Sequence, residues 1–217
     1  MTIMTNYKND PTQTHELFRL LHAQNPDARI ELDHENPFHL LIAVVLSAQA
    51  TDKQVNKITP PIFEVIKTPR DVISFGHDWL REKISSINYN NTKAKNIFLA
   101  SQQLIANFGG EVPRTLAELE TLAGVGRKSA NVILNSCFGI PTLAVDTHVF
   151  RVCNRTGLAK AKTVLETETQ VFPKLPKEFE LSAHHLLVLH GRYVCKARKP
   201  ECGKCVISHI CKFKPLS

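Results

Sequence analysis

Four cysteines fall within seventeen residues near the C-terminus, spaced Cys195-x6-Cys202-x2-Cys205-x5-Cys211. Four thiolates drawn to one centre suit a tetrahedral metal or an iron-sulfur cluster, so the spacing predicts that this stretch folds as a closed knot. The chain has six cysteines in all. A disulfide framework is the poorer reading, because Met1 to Asp10 is polar and lacks the apolar run of a secretory signal. Cys137 and Cys153 lie in apolar helical patterns and read as inert core thiols. The longest apolar stretch, Phe38 to Leu46, is too short to span a bilayer.

The formal net charge of +7 points to a polyanionic partner, and its distribution is lopsided. From residue 141 onward 13 Lys and Arg face 6 Asp and Glu, whereas residues 1–140 carry 14 of each. The densest basic piece, Lys196, Arg198 and Lys199, lies between the first two clustered cysteines. Closing the metal site therefore closes a small basic loop, which would serve as a phosphate clamp.

The rest reads as helical, with no sustained period-two alternation. Phe38 to Leu46 is apolar all round, as a helix central to a domain would be. Thr51-x-x-Gln54 is a capping-box pattern, and Val112-Pro113 predicts a helix from about Arg114 to Leu122. After it comes Leu122-Ala123-Gly124-Val125-Gly126-Arg127-Lys128, a glycine turn feeding a helix whose first amides can meet an anion. In that helix Ala130, Ile133, Leu134, Cys137 and Phe138 form a core stripe. Lys128 falls on the opposite face, in line with Asn131 and Asn135.

These three motifs, the glycine hairpin with its lysine, Ala144-Val145-Asp146-Thr147-His148, and the four cysteines, occur in one order. Over residues 30–213 the chain resembles the endonuclease III family of helix-hairpin-helix DNA glycosylases. The resemblance implies an all-α, two-lobed fold. A six-helix barrel would occupy residues 30–140, with the helix-hairpin-helix at about 114–138. Residues 1–29 and 141–217 would form an iron-sulfur lobe in which Cys195, Cys202, Cys205 and Cys211 hold a 4Fe-4S cluster. Lys128 and Asp146 would be the catalytic pair. Gly124, Val125, Gly126, Arg127, Gln49, Tyr89, Lys196, Arg198 and Lys199 would contact double-stranded DNA carrying damaged bases or AP sites. Gln49 would fill the gap left by a flipped nucleotide, and Tyr89 stands where the family has an intercalating leucine. Ala123 and Ser129 also depart from the usual proline and threonine. A monomer acting on the nucleoid in the cytoplasm, without a membrane partner, is expected.

The implied activity removes oxidised pyrimidines and cleaves the AP site. A lysine amine that attacks C1′ displaces the base, forms a Schiff base, and acidifies the C2′ proton for β-elimination. Lowering a lysine from about 10.4 to roughly 7 or 8 takes about 4 kcal/mol, while a helix N-terminus contributes only about 0.3 to 1 kcal/mol. Desolvation on DNA and the neighbouring Arg127 must supply the rest. Asp146 opposes that shift, so its role is to stabilise the cationic sugar. Two alternatives stand beside this reading: a mismatch-adenine glycosylase, which does not need the hairpin lysine, and a non-catalytic DNA-binding module with zinc in the thiolate site. Four cysteines suit zinc as well as iron-sulfur. His148, His184, His185 and His190 lack convergent partners at ligand spacing and read as core or capping residues.

Overall fold

A computed structural model describes residues 10–213. The ends of the sequence-predicted second lobe, residues 1–9 and 214–217, lie outside the described residues. The chain separates into two compact units, one being Ile30–Ile140 and the other the chain before Ile30 together with that from Pro141 onward. Among the described residues every regular element is a helix or a 3-10 turn, and no helix is long and apolar enough to cross a membrane.

The unit Ile30–Ile140 is built around α2 (Pro37–Ser47). Pro37 fits the first helical position, and the Asn36 side chain accepts the His39 amide at 2.8 Å. All nine residues from Phe38 to Leu46 are buried, and the one polar side chain among them, His39, donates from Nε2 to the Ile66 carbonyl at 2.7 Å. Around it run α3 (Asp52–Ile58), α4 (Pro60–Val65), α5 (Pro69–Phe75), α6 (His77–Lys83), α7 (Asn90–Phe108), α8 (Leu116–Glu120) and α9 (Arg127–Phe138). These are eight segments where six were expected. The two extra come from breaks: Pro60 ends the α3 ladder at Thr59, and Gly76, at φ 84, ends α5 and starts α6. Counting each broken pair once recovers six. α2 packs against α3, α7 and α9.

Two local readings change. The Thr51 hydroxyl accepts the Gln54 amide at 3.2 Å, but the Gln54 side chain donates to the Ser86 carbonyl at 2.9 Å instead of closing a capping box. The helix expected from Arg114 begins at Leu116, because Thr115 is its N-cap and accepts the Glu118 amide.

In the other unit α1 (Pro11–Gln24) joins the C-terminal helices. Its Leu17, Phe18 and Leu21 share a core with Val149, Val152 and Cys153 of α10 (Thr147–Thr156), with Leu186 and Leu187 of α12 (Ala183–Tyr193), and with Ile207. α11 (Val164–Val171) packs against α10. α10 and α12 pack tightly at Gly191, where an added Cβ would lie 2.9 Å from the Cβ of His148. Nothing larger than hydrogen fits there, which explains a glycine inside a helix.

Candidate active site and metal centre

The glycine hairpin is held by α7. Gly124 has φ +80, and a Cβ there would come within 2.9 Å of the Asn96 side chain. Gln103, farther along α7, accepts the Ala123 amide at 2.8 Å and donates to the Thr121 carbonyl at 2.9 Å. Val125 is buried, and its amide donates to Leu122, so this residue shapes the turn from inside. Gly126 is the N-cap of α9 and has no side chain to accept the first-turn amides. Arg127 and Lys128 open the helix on its exposed side. The core stripe holds over Ala130, Ile133 and Leu134, which are buried, and gives way to part-buried Cys137 and Phe138 in the last turn. Asn131 and Asn135, placed on the lysine face by periodicity, are buried too, so that face is exposed only at its first turn.

Asp146 caps α10. Its Oδ1 accepts the amides of His148 and Val149, each at 2.8 Å. Both bonds fall on one oxygen, which fixes the carboxylate. The Arg151 guanidinium ties this helix to the last turn of α12 and to the segment after it, donating to the Gly191 carbonyl at 2.7 Å and the Cys195 carbonyl at 2.9 Å.

Among the described residues only Gln49, Tyr89 and Lys199 combine a side chain with positive φ, at 55, 60 and 51 degrees. The left-handed region costs an L-residue about 1–2 kcal/mol. All three are candidate DNA contacts, and Tyr89 is 64% exposed on the residue before α7. Such outliers concentrate where a chain must present a group outward.

Cys195, Cys202, Cys205 and Cys211 line one cavity of about 200 Å³, walled by Val194, Pro200, Ile207 and Phe213. Among the described residues no three His, Cys, Asp or Glu converge tightly enough to hold a single ion. The thiols surround a space with room for a multi-atom cluster, and its apolar wall suits one. Burial raises the Cys205 thiol above its usual pKa, the Ile207 amide lowers it, and the other three thiols raise it again. That mutual repulsion is what a shared cationic core relieves. Two polar groups missed in the sequence stand at the sulfurs: Arg155 donates to Cys195 Sγ at 3.5 Å, and His190 Nε2 lies 3.7 Å from Cys205 Sγ. Arg155 also donates to the carbonyls of Lys196 at 2.7 Å and Ala197 at 3.0 Å, and its guanidinium stacks on Phe213. It thus fixes the basic loop from beneath. Lys196, Arg198 and Lys199 are exposed, but Lys196 is paired with Glu201 within the loop. Cys137 and Cys153 stand apart, their thiols pushed by burial to about 11 and about 12. His184 Nδ1 donates to the Ala144 carbonyl, 2.7 Å away, and His185 is buried, both as core histidines.

A model of the HhH-GPD superfamily base excision DNA repair proteins matches residues 42–177, and one of the iron-sulfur binding domain of endonuclease III matches residues 195–211. Endonuclease III of Haemophilus influenzae is 51% identical over 203 residues, 94% of this chain and 96% of that protein. Endonuclease III of Escherichia coli K12 is 48% identical over 199 residues, 92% and 94% of the two chains. A solved structure of a trapped endonuclease III-DNA covalent intermediate aligns with a TM-score of 0.87 at 45% identity, covering 94% of this chain and 96% of that one.

Proposed function

This chain belongs to the HhH-GPD superfamily and, within it, to the endonuclease III family, and from that membership we infer a base-excision repair enzyme that joins DNA N-glycosylase to AP lyase activity. The observation that carries the reading is Lys128, exposed at the first turn of α9 behind a glycine hairpin that α7 braces. Relatives similar over nine-tenths of the chain favour neither a mismatch-adenine glycosylase nor a zinc module.

Each step assigns work to a residue of this chain. First-turn amides of α9 and the basic loop dock on phosphates. Gln49 and Tyr89 fill the place of the flipped nucleotide, which offsets part of the few kcal/mol of unstacking. The neutral Lys128 amine bonds to C1′, the N-glycosidic bond breaks, and the base leaves with its electron pair and takes up a proton. A proton then passes from the nitrogen to O4′ as the C1′–O4′ bond opens, which leaves the protonated Schiff base. Removal of the C2′ proton then expels the 3′ phosphate, and water releases the lysine. Asp146, its carboxylate held by two amides, stabilises positive charge on the sugar. Cys195, Cys202, Cys205 and Cys211 hold the 4Fe-4S cluster, which supplies four covalent anchors for the 195–211 segment. The substrates are duplexes with oxidised pyrimidines or AP sites, met by a monomer on cytoplasmic DNA.

The test is incubation with duplexes that each carry one defined lesion, reading base release and strand cleavage separately. Release of an oxidised pyrimidine with cleavage on its 3′ side is expected. Release of mismatched adenine without cleavage would overturn the assignment.

A further inference from the structure

Lys93 is the one buried lysine among the described residues, 4% exposed, and it occupies a core position of α7, in register with Ile97, Ala100 and Leu104. Its ammonium donates to the Leu46 carbonyl, 2.8 Å away, in the last turn of α2. Burial lowers its pKa, the expected response of a cation taken out of water. A lysine here costs more than a leucine, so its donor must answer a need. The two chain segments it joins show what that need is. Leu46 lies three residues before Gln49, and the Lys93 amide donates to the carbonyl of Tyr89 at 3.0 Å. Gln49 and Tyr89 are two of the three left-handed side-chain residues described above. A second tie runs the same way, from the Gln54 side chain just after the Gln49 turn to the Ser86 carbonyl just before Tyr89.

We propose that Lys93 is a positioning residue that locks the Gln49 turn to the Tyr89 turn, so that the two side chains enter DNA as a single unit. The proposal rests on the reading of Gln49 and Tyr89 as the residues that replace a flipped nucleotide. Without the lock each turn can relax from its strained conformation alone. With it, relaxation of one requires movement of both.

The probe is a duplex carrying one tetrahydrofuran abasic analogue, compared with the same duplex undamaged, and the readout is the ratio of the two Kd values. Gln49→Ala, Tyr89→Ala and the double variant are measured in the natural chain and in Lys93→Met, which keeps the length and loses the donor. In the natural chain each single change should lower the preference about tenfold, and the double change little further, as for residues that act together. Lys93→Met should itself lower the preference about tenfold, with affinity for undamaged duplex within about twofold of natural, and make the two alanine changes additive. Gln54→Ala, at a partly exposed site, should lower it about threefold by the same logic. A Lys93→Met protein with natural thermal midpoint, natural visible absorbance and undiminished preference would overturn the proposal. Should that variant not fold, additive losses in the natural chain and a neutral Gln54→Ala overturn it equally. If the two single alanine changes leave the preference intact, the gap-filling reading itself falls, a result distinct from additive losses, which remove only the coupling.

Discussion

The side-chain carbonyl of Gln103 accepts the backbone amide of Ala123 at 2.8 Å, so a residue of α7 sets the start of the turn that delivers Lys128. The same turn presses Gly124 against Asn96, with no room for a Cβ. Gly124→Ala therefore combines a left-handed alanine with a clash, a loss of about 2 kcal/mol, or roughly 4–8 °C of thermal midpoint. Single-turnover base release should fall with it, by about tenfold on the scale of small misplacements of a reacting group. Natural values for both quantities would show that the hairpin is not held against α7.

Lys128→Ala should abolish base release and strand cleavage while binding to lesion duplex survives, because the side chain is exposed and supports no core. Borohydride should trap the natural protein on an AP duplex and fail to trap the variant. Equal trapping would move the nucleophile to another amine.

Asp146→Asn keeps a side-chain oxygen to cap α10 and removes the charge. Base release should drop about 10²- to 10³-fold, the usual loss when one electrostatic partner of a transition state is removed, with an unchanged thermal midpoint. A natural single-turnover rate would leave Asp146 a cap and nothing more.

The basic loop makes a graded prediction. Lys196 is already paired with Glu201, whereas Arg198 and Lys199 are exposed. Replacing the latter two with Ala should reduce the slope of log K against log salt by up to about 1.8, roughly 0.9 per lost phosphate contact. Lys196→Ala should change it less, and cleavage at saturating enzyme should stay near natural. An unaltered slope in the double variant would mean that the loop faces solvent on the complex.

His185 predicts acid sensitivity. Burial lowers its pKa from 6.5 to about 4. The unfolded chain thus takes up the proton first as pH falls, and stability present at neutral pH drains away between those two values. By pH 5 the loss is about 2 kcal/mol from this group. His185→Leu should flatten the fall in thermal midpoint between pH 7 and pH 5 by roughly 4–8 °C, and identical profiles would refute the assignment.

Legibility from sequence tracked how local the information was. The buried run of α2 and the first two turns of the α9 core stripe are periodicities within one element, and both are legible in the sequence. The thiolate knot lies within seventeen residues and was equally plain. The burial of Asn131 and Asn135 depends on what packs over α9, which no helical wheel contains. Gln103 and Arg155 act across long sequence separations on backbone groups, and a backbone carbonyl has no letter in the sequence. Lys93 left a trace, a charge in register with an apolar stripe, that periodicity could have caught.

Asp146 caps the start of α10, and Arg155, one residue from its end, grips the carbonyls beneath the basic loop. At 1.5 Å per residue the nine steps between them measure about 14 Å, close to four base-pair rises of B-form DNA. The helix is a measuring rod, rigid because both of its ends are tethered. One inserted residue would lengthen it by about 1.5 Å and swing the loop's anchor by about 100 degrees around the axis. The spacing between the Asp146 carboxylate and the anchor of the basic loop is thus written as a residue count.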